Sequence, residues 1–135
     1  MSRQSLLLPE TARVLTAATR LTREDNGTVF FLNSATEFDV VLPLAELGME
    51  FTFVVKAAPA SASYTVTAKT ADTIIGHVIC SADAAGDTET TAGGDVLTFA
   101  DGQAVAGDRA HFLSDGTYWY VTATCAVAAG ITITG

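Results

Sequence analysis

His111, Ser114 and Asp115 bring the three residue types of a hydrolytic triad together within one short segment. A triad needs the imidazole within hydrogen-bond reach of the hydroxyl and oriented by the carboxylate. These three fall on a strand and its turn, where successive side chains point to opposite faces. Asp115-Gly116 is accounted for as turn chemistry. His77, Cys80 and Asp83 offer ligand types for a metal, but no fourth ligand stands at a recognisable spacing. A half-buried strand histidine and a core cysteine account for them. Asp83, Asp87, Glu89 and Asp95 carry carboxylates a hard cation could use. Their order does not match a D-x-[DN]-x-[DN]-G loop, and the run reads as a solvated loop. A glycosidase would need two carboxylates about 5–10 Å apart across a cleft, and no spacing singles out a pair. Cys80 and Cys125 lack a C-x-x-C pattern, and a domain of this size does not need a covalent staple. They read as free buried thiols. No catalytic residue, cofactor or metal site is expected, and the chain reads as non-enzymatic.

Tyr118-Trp119-Tyr120 is the remaining constellation. On a strand Trp119 faces away from both tyrosines. One side should fill the core. The other should be a platform for a neighbouring subunit or, as the alternative, for a sugar or base. Tyr118 and Tyr120 are thus the candidate subunit-interface residues. Asn26-Gly27-Thr28 matches a glycosylation sequon, which has no meaning without secretion.

The elements that position these residues read as β. Asn26-Gly27 is a strong hairpin signal and should join Arg20–Arg23 to Thr28–Leu32. Further strands are expected over 38–42, 51–56, 64–68, 73–79, 96–100, 109–113, 117–122 and 130–134. Gly76 should mark a bulge or a close backbone approach. Residues 81–94 read as a long polar loop. Ser114-Asp115-Gly116 should turn a second hairpin. Helix is expected only within the first 20 residues or around Leu44–Gly48. About nine short strands at near-regular spacing predict an all-β, single-domain antiparallel β-sandwich or jelly roll, with no solenoid repeat.

Charge divides the chain in two. Residues 1–23 hold Arg3, Arg13, Arg20 and Arg23 against Glu10, a balance of +3; the rest holds three basic residues against fourteen acids, a balance of −11. This pattern predicts an N-terminal arm, residues 1–19, on a β body, residues 20–135. The arm's arginines, together with Leu6, Leu7 and Leu8, are the expected contacts with a partner. An acidic body with three basic residues does not suit nucleic acid, and it discourages adhesion to anionic membranes. Neither a signal peptide nor a membrane span is legible, so synthesis in the cytoplasm is expected. Charged residues are 16% of the chain, against a usual ~25%. So bland a surface, with its surplus of apolar strand residues, predicts self-association, expected as a homotrimer.

Three segments then stand out together: DNGTVFFL over 25–32, VLP over 41–43 leading to GMEFTFVV over 48–55, and Gly107-Asp108 leading to SDGTYWYV over 114–121. Their order resembles small β-structured proteins of tailed bacteriophages, in particular head decoration (cement) proteins. Similar modules occur in tail fibres and spikes. The resemblance covers roughly residues 20–122, and its motifs are turns and core aromatics. It implies a virion structural protein on the outer capsid surface, binding the major capsid protein as a homotrimer, with no catalytic residues to carry over. A chain starting at Met1 and carrying its own arm favours decoration over a fibre tip. The alternative is a host-recognition module that binds surface glycans through exposed aromatics.

Overall fold

The structure, a computed structural model, describes residues 11–81 and 88–135, with only the backbone for 88–92. Twelve strands are present among them: β1 Ala12–Leu15, β2 Thr19–Arg20, β3 Val29–Leu32, β4 Asp39–Val41, β5 Glu50–Val55, β6 Tyr64–Thr67, β7 Ile74–Cys80, β8 Thr88–Gly94, β9 Val96–Phe99, β10 Arg109–Ser114, β11 Trp119–Cys125 and β12 Ile131–Thr134. They form a seven-stranded sheet in the order β1-β3-β5-β10-β11-β7-β8 and a five-stranded sheet in the order β12-β9-β6-β4-β2. The all-β sandwich expected from the strand spacing is what forms.

The sheets are mixed, not antiparallel. The first six strands alternate between the two sheets. Strands β1, β3 and β5 therefore run the same way as parallel neighbours in one sheet, and β2, β4 and β6 do so in the other. Each strand of the opposite sheet serves as the crossover that a parallel pair requires. Strand β7 also lies parallel to β11, whereas β5–β10, β10–β11, β7–β8, β6–β9 and β9–β12 are antiparallel.

Asn26-Gly27 makes this difference concrete. It does not join a hairpin, because the strands on either side of it belong to different sheets. Residues Arg23–Asp25 form a single 3-10 turn, with the Thr22 N–H donating to Asp25 Oδ2 at 2.8 Å. Asn26 (φ −52°, ψ 135°) and Gly27 (φ +84°) then make a type II turn, closed by the Thr28 N–H to Asp25 O at 3.1 Å. The Asn26 side chain accepts from the Glu50 N–H at 2.7 Å, tying this corner to β5. Two further expectations are corrected. Residues 88–94 of the expected polar loop are strand β8, paired antiparallel with β7. Leu44–Gly48 contains no helix; its only regular feature is the turn at 47–48. Gly76 does mark a close approach, since a Cβ there would lie 2.0 Å from Val121 O, and the β7–β8 register shifts between Ile74 and Gly76.

Alternation along each strand fills the space between the sheets. Strand β11 buries Trp119, Val121, Ala123 and Cys125 and exposes the residues between them. Five rings from four adjacent strands close into a circuit: Phe30–Phe51 6.2 Å, Phe51–Trp119 5.8 Å, Trp119–Phe112 6.4 Å, Phe112–Phe53 5.5 Å and Phe53–Phe30 5.5 Å between centroids. Aromatic pairs at such spacings add to the stabilisation from burial. Against them the other sheet sets Val40, Tyr64, Val66, Leu97, Phe99 and Ile131, all buried. Tyr64 keeps its hydroxyl satisfied, with Ala57 O at 2.7 Å and the Ser34 N–H at 3.1 Å.

Loop ends are held by carboxylates. Glu37 Oε1 accepts the N–H groups of Ala60 at 2.7 Å and Ser61 at 3.1 Å. Those donors, Ser61 first, pull its pKa down from 4.5 to about 2. A depressed carboxylate contributes stability that is complete above its unfolded value and fades as pH falls from 4.5 towards 2. The stability gap between wild type and Glu37→Gln should therefore be widest above pH 5 and close towards pH 2 in urea titrations. A gap of constant size across that range would contradict this role. Asp115, held low by the N–H groups of Tyr118 and Thr117, acts in the same direction. Asp108, raised by burial, acts in the opposite one.

Candidate interaction surface

Among the described residues the candidate chemical constellations do not assemble. His111 lies on the outer face of the seven-stranded sheet with Nε2 3.4 Å from Glu50 Oε2. Ser114 is buried and its Oγ accepts from the Gly116 N–H at 2.9 Å. The Asp115 carboxylate is occupied by the Thr117 and Tyr118 N–H groups and by the Tyr120 hydroxyl at 3.0 Å. All three are thus committed to the sheet face or the β10–β11 turn. His77 and Cys80 lie on opposite faces of β7, one exposed and one buried, so they cannot converge on one ion. Asp83 and Asp87 lie outside the described residues, as does the Glu89 side chain. Asp95 Oδ1 caps the Asp72 N–H at 2.7 Å. No group of three metal-ligating side chains occurs among the described residues.

The cysteines are buried thiols that stand directly opposite each other in the parallel β7–β11 pair with their sulfurs 3.4 Å apart. Burial, then the contact with Cys80, pushes the Cys125 thiol up to about 11. Such a thiol is a poor nucleophile at neutral pH. A millimolar reductant should leave the melting temperature within about 2 °C of its value without reductant. A fall of more than about 5 °C, the scale of roughly a kcal/mol lost in a domain of this size, would show a stabilising cross-link instead.

The arginines expected to meet a partner divide. Arg13 is on β1, bonded to Asp25 Oδ1 at 2.8 Å and lying over the Phe30 ring at 5.1 Å. Arg20 is exposed on β2, and Arg23 extends to Glu46 at 3.2 Å while remaining largely exposed. Arg3, Leu6, Leu7 and Leu8 lie outside the described residues. Within the expected arm, Ala12–Leu15 is strand β1, an edge of the seven-stranded sheet, and β2 begins at Thr19.

The feature that sequence patterning did not single out is a contrast between the two outer faces. The five-stranded sheet presents the registered row Asp39–Thr65–Thr98–Thr132, with Thr67 beside it. Asp39 Oδ1 accepts from Thr65 Oγ1 and Thr67 Oγ1, each at 2.7 Å. That row is polar, with Val41 and Val96 half-buried beside Thr67. The seven-stranded sheet instead presents Val14 (51% exposed), Ile79 (45%), Tyr120 (44%) and Leu113 (42%), with Phe31 and Ile75 half-buried among them. Tyr118, also exposed, adjoins Tyr120 at the end of the sheet, ring centroids 6.4 Å apart. Trp119 faces inward, as its alternation with the two tyrosines predicts. Two shallow hollows mark this outer face. One of about 470 Å³ is bordered by Val14, Phe31 and Val54. One of about 290 Å³ is bordered by Ile75, His77, His111, Leu113, Tyr120 and Thr122. Exposed apolar side chains grouped in this way on one sheet face, with Thr52, His111, Thr122 and His77 between them, are the candidate interaction surface. Comparison with family models, with curated proteins and with solved structures gives no match to this chain.

Proposed function

We propose that this chain is a non-enzymatic structural protein of a bacteriophage virion that decorates and stabilises the capsid, bound to the major capsid protein as a homo-oligomer, with a trimer the arrangement expected from composition. One observation carries the reading. The segments that resemble phage decoration proteins supply β3, β5, the close of β10 and the start of β11, adjacent strands of one sheet, whose outer face exposes Tyr120. The resemblance thereby falls on neighbouring strands and on the buried rings of Phe30, Phe51, Phe53 and Trp119. Leu6, Leu7, Leu8 and Arg3 supply the apolar and basic contacts towards the shell. Each buried leucine is worth about 1.5–3 kcal/mol before backbone ordering costs of roughly 1–2 kcal/mol per residue, so several arms acting together are needed.

Mixing the purified chain with capsids that lack it tests the reading. The full chain should bind and should raise the temperature at which the shell opens. A chain starting at residue 11 keeps β1 intact and should lose binding by at least tenfold. Removing residues 1–19 would instead strip an edge strand and the Arg13–Asp25 pair. Failure of the full chain to bind would overturn the proposal. Undiminished binding by the shortened chain would place the anchor on the body. A second reading, a glycan-binding module of a fibre or spike, is favoured by the hollow beside Tyr120. It predicts retention on immobilised host polysaccharide that Tyr120→Ala abolishes.

A further inference from the structure

We infer that Cys80 and Cys125 are a redox-closable pair, which an oxidant of the peroxide class joins into one disulfide within the chain, locking β7 to β11. The inference is independent of the capsid reading above.

Cys80 is the last residue of β7 and Cys125 the last of β11, and they are direct partners in the parallel ladder. Both belong to the inward-facing set of their strands, and each is 4% exposed. Registered pairing from Ile74–Trp119 to Cys80–Cys125 fixes the two backbones. The Ser81 N–H donates to Cys125 O at 2.9 Å and closes the ladder just beyond them. Adjacent strands lie about 4.7–4.9 Å apart, inside the roughly 4.4–6.8 Å between Cα atoms that a disulfide accepts. The sulfurs stand 3.4 Å apart and must approach to about 2.0 Å. Rotation of the two side chains about their Cα–Cβ bonds supplies that approach without displacing a strand.

The two thiols are not equivalent. Cys125 borders a hollow of about 300 Å³, together with Gly107, Asp108, Thr124 and Ala126, whereas Cys80 takes no part in its lining. A small reagent therefore meets Cys125 first. Asp108 is buried, and its carboxylate accepts from the Val105 N–H at 2.9 Å and the Ala126 N–H at 3.1 Å. Burial above all, then Cys80 and last the Asp108 charge, keep the Cys125 thiol protonated at neutral pH. The pair thus stays as thiols in a reducing compartment and closes only under a sustained oxidant.

The closure balances in two steps. The minor thiolate of Cys125 attacks one peroxide oxygen, and the O–O bond breaks. The departing hydroxide takes up the thiol's proton as water, and Cys125 becomes a sulfenic acid. Cys80 Sγ then attacks Cys125 Sγ, the S–O bond breaks, and a second water leaves with the Cys80 proton. Two thiols and one hydrogen peroxide give one disulfide and two waters; the sulfurs lose two electrons and the peroxide gains them. The cross-link joins residues 45 positions apart, so it restricts the unfolded chain far more than the folded one. A protein folded in a reducing cell gains this lock on exposure outside it.

The full chain, prepared with reductant, freed of it and held in millimolar hydrogen peroxide, tests this. Alkylation in urea should find both thiols before treatment and neither after it. Intact mass should fall by about 2 Da, the two hydrogens lost. The melting temperature should rise by at least about 5 °C, and reductant should return it. Dimedone present throughout should label nothing in wild type, because Cys80 consumes the sulfenic acid. In Cys80→Ala it should label Cys125, with no rise in melting temperature. In Cys125→Ala, modification of Cys80 should be at least tenfold slower. The wild-type thiol count and mass need no variant, so a misfolded variant leaves the test intact. Two thiols remaining after treatment, sulfinic acids in place of the cross-link, a disulfide between two chains, or a closed form that melts lower would overturn the inference.

Discussion

Trp119→Ala should destabilise the protein by about 3–5 kcal/mol, a large share of the roughly 5–15 kcal/mol that holds a typical domain folded. Trp119 is 1% exposed and touches the rings of both Phe51 and Phe112 in the aromatic circuit. Its removal leaves a cavity walled by β-sheet backbone that cannot collapse into the space. Tyr120→Ala, one residue away on the outer face, should cost no more than about 1 kcal/mol of the chain's own stability, since its main loss is the hydroxyl contact with Asp115. Urea unfolding of the two variants side by side measures the difference. Equal costs would contradict the assignment of inner and outer faces.

Gly76→Ala is expected to be at least as damaging as most core truncations, although it adds a single methyl group. The new Cβ would stand 2.0 Å from Val121 O and 2.7 Å from Val121 C, backbone atoms held in the β7–β11 ladder. No rotamer relieves that overlap, so β7 must move away from β11 and lose ladder hydrogen bonds. A cost of about 3 kcal/mol or more follows, at the upper end for overpacking. Gly102→Ala provides the contrast. Gly102 has φ +74° and no neighbour within 4 Å of a Cβ, so only the left-handed backbone conformation opposes the substitution, at about 1 kcal/mol. Denaturant midpoints that ranked these two variants the other way would contradict the strand pairing.

Much of this architecture is legible in the residues because strand burial is local. Period-two alternation in WYVTATC and in YTVT states which side chains are inside, whichever strand lies next door. The Ser114–Gly116 turn is equally local, since Asp115 bonds the N–H groups two and three residues on. Sheet order is not local. A connection of a few residues can close a hairpin or cross to the opposite sheet, and Asn26-Gly27 serves either geometry. What separates them is long-range pairing, β2 with β4 and β3 with β1 and β5, with the Glu50 N–H donating to Asn26 from 24 residues away. Strand β8 is hidden for a related reason. Its sequence, TETTAGG, has no apolar alternation, and its strand character comes from backbone pairing with β7. The candidate surface is half legible. Tyr118 and Tyr120 are placed outward by alternation. Their union with Val14, Leu113 and Ile79 depends on strands brought together by topology alone.

The copy number of this chain in the purified virions to which the proposed function assigns it tests the central claim most directly. Quantitative mass spectrometry against the major capsid protein should find it at a comparable number of copies per particle, retained through density-gradient purification. Its absence from virions, or its presence at only the few copies typical of a tail tip, would contradict a role in cementing the shell.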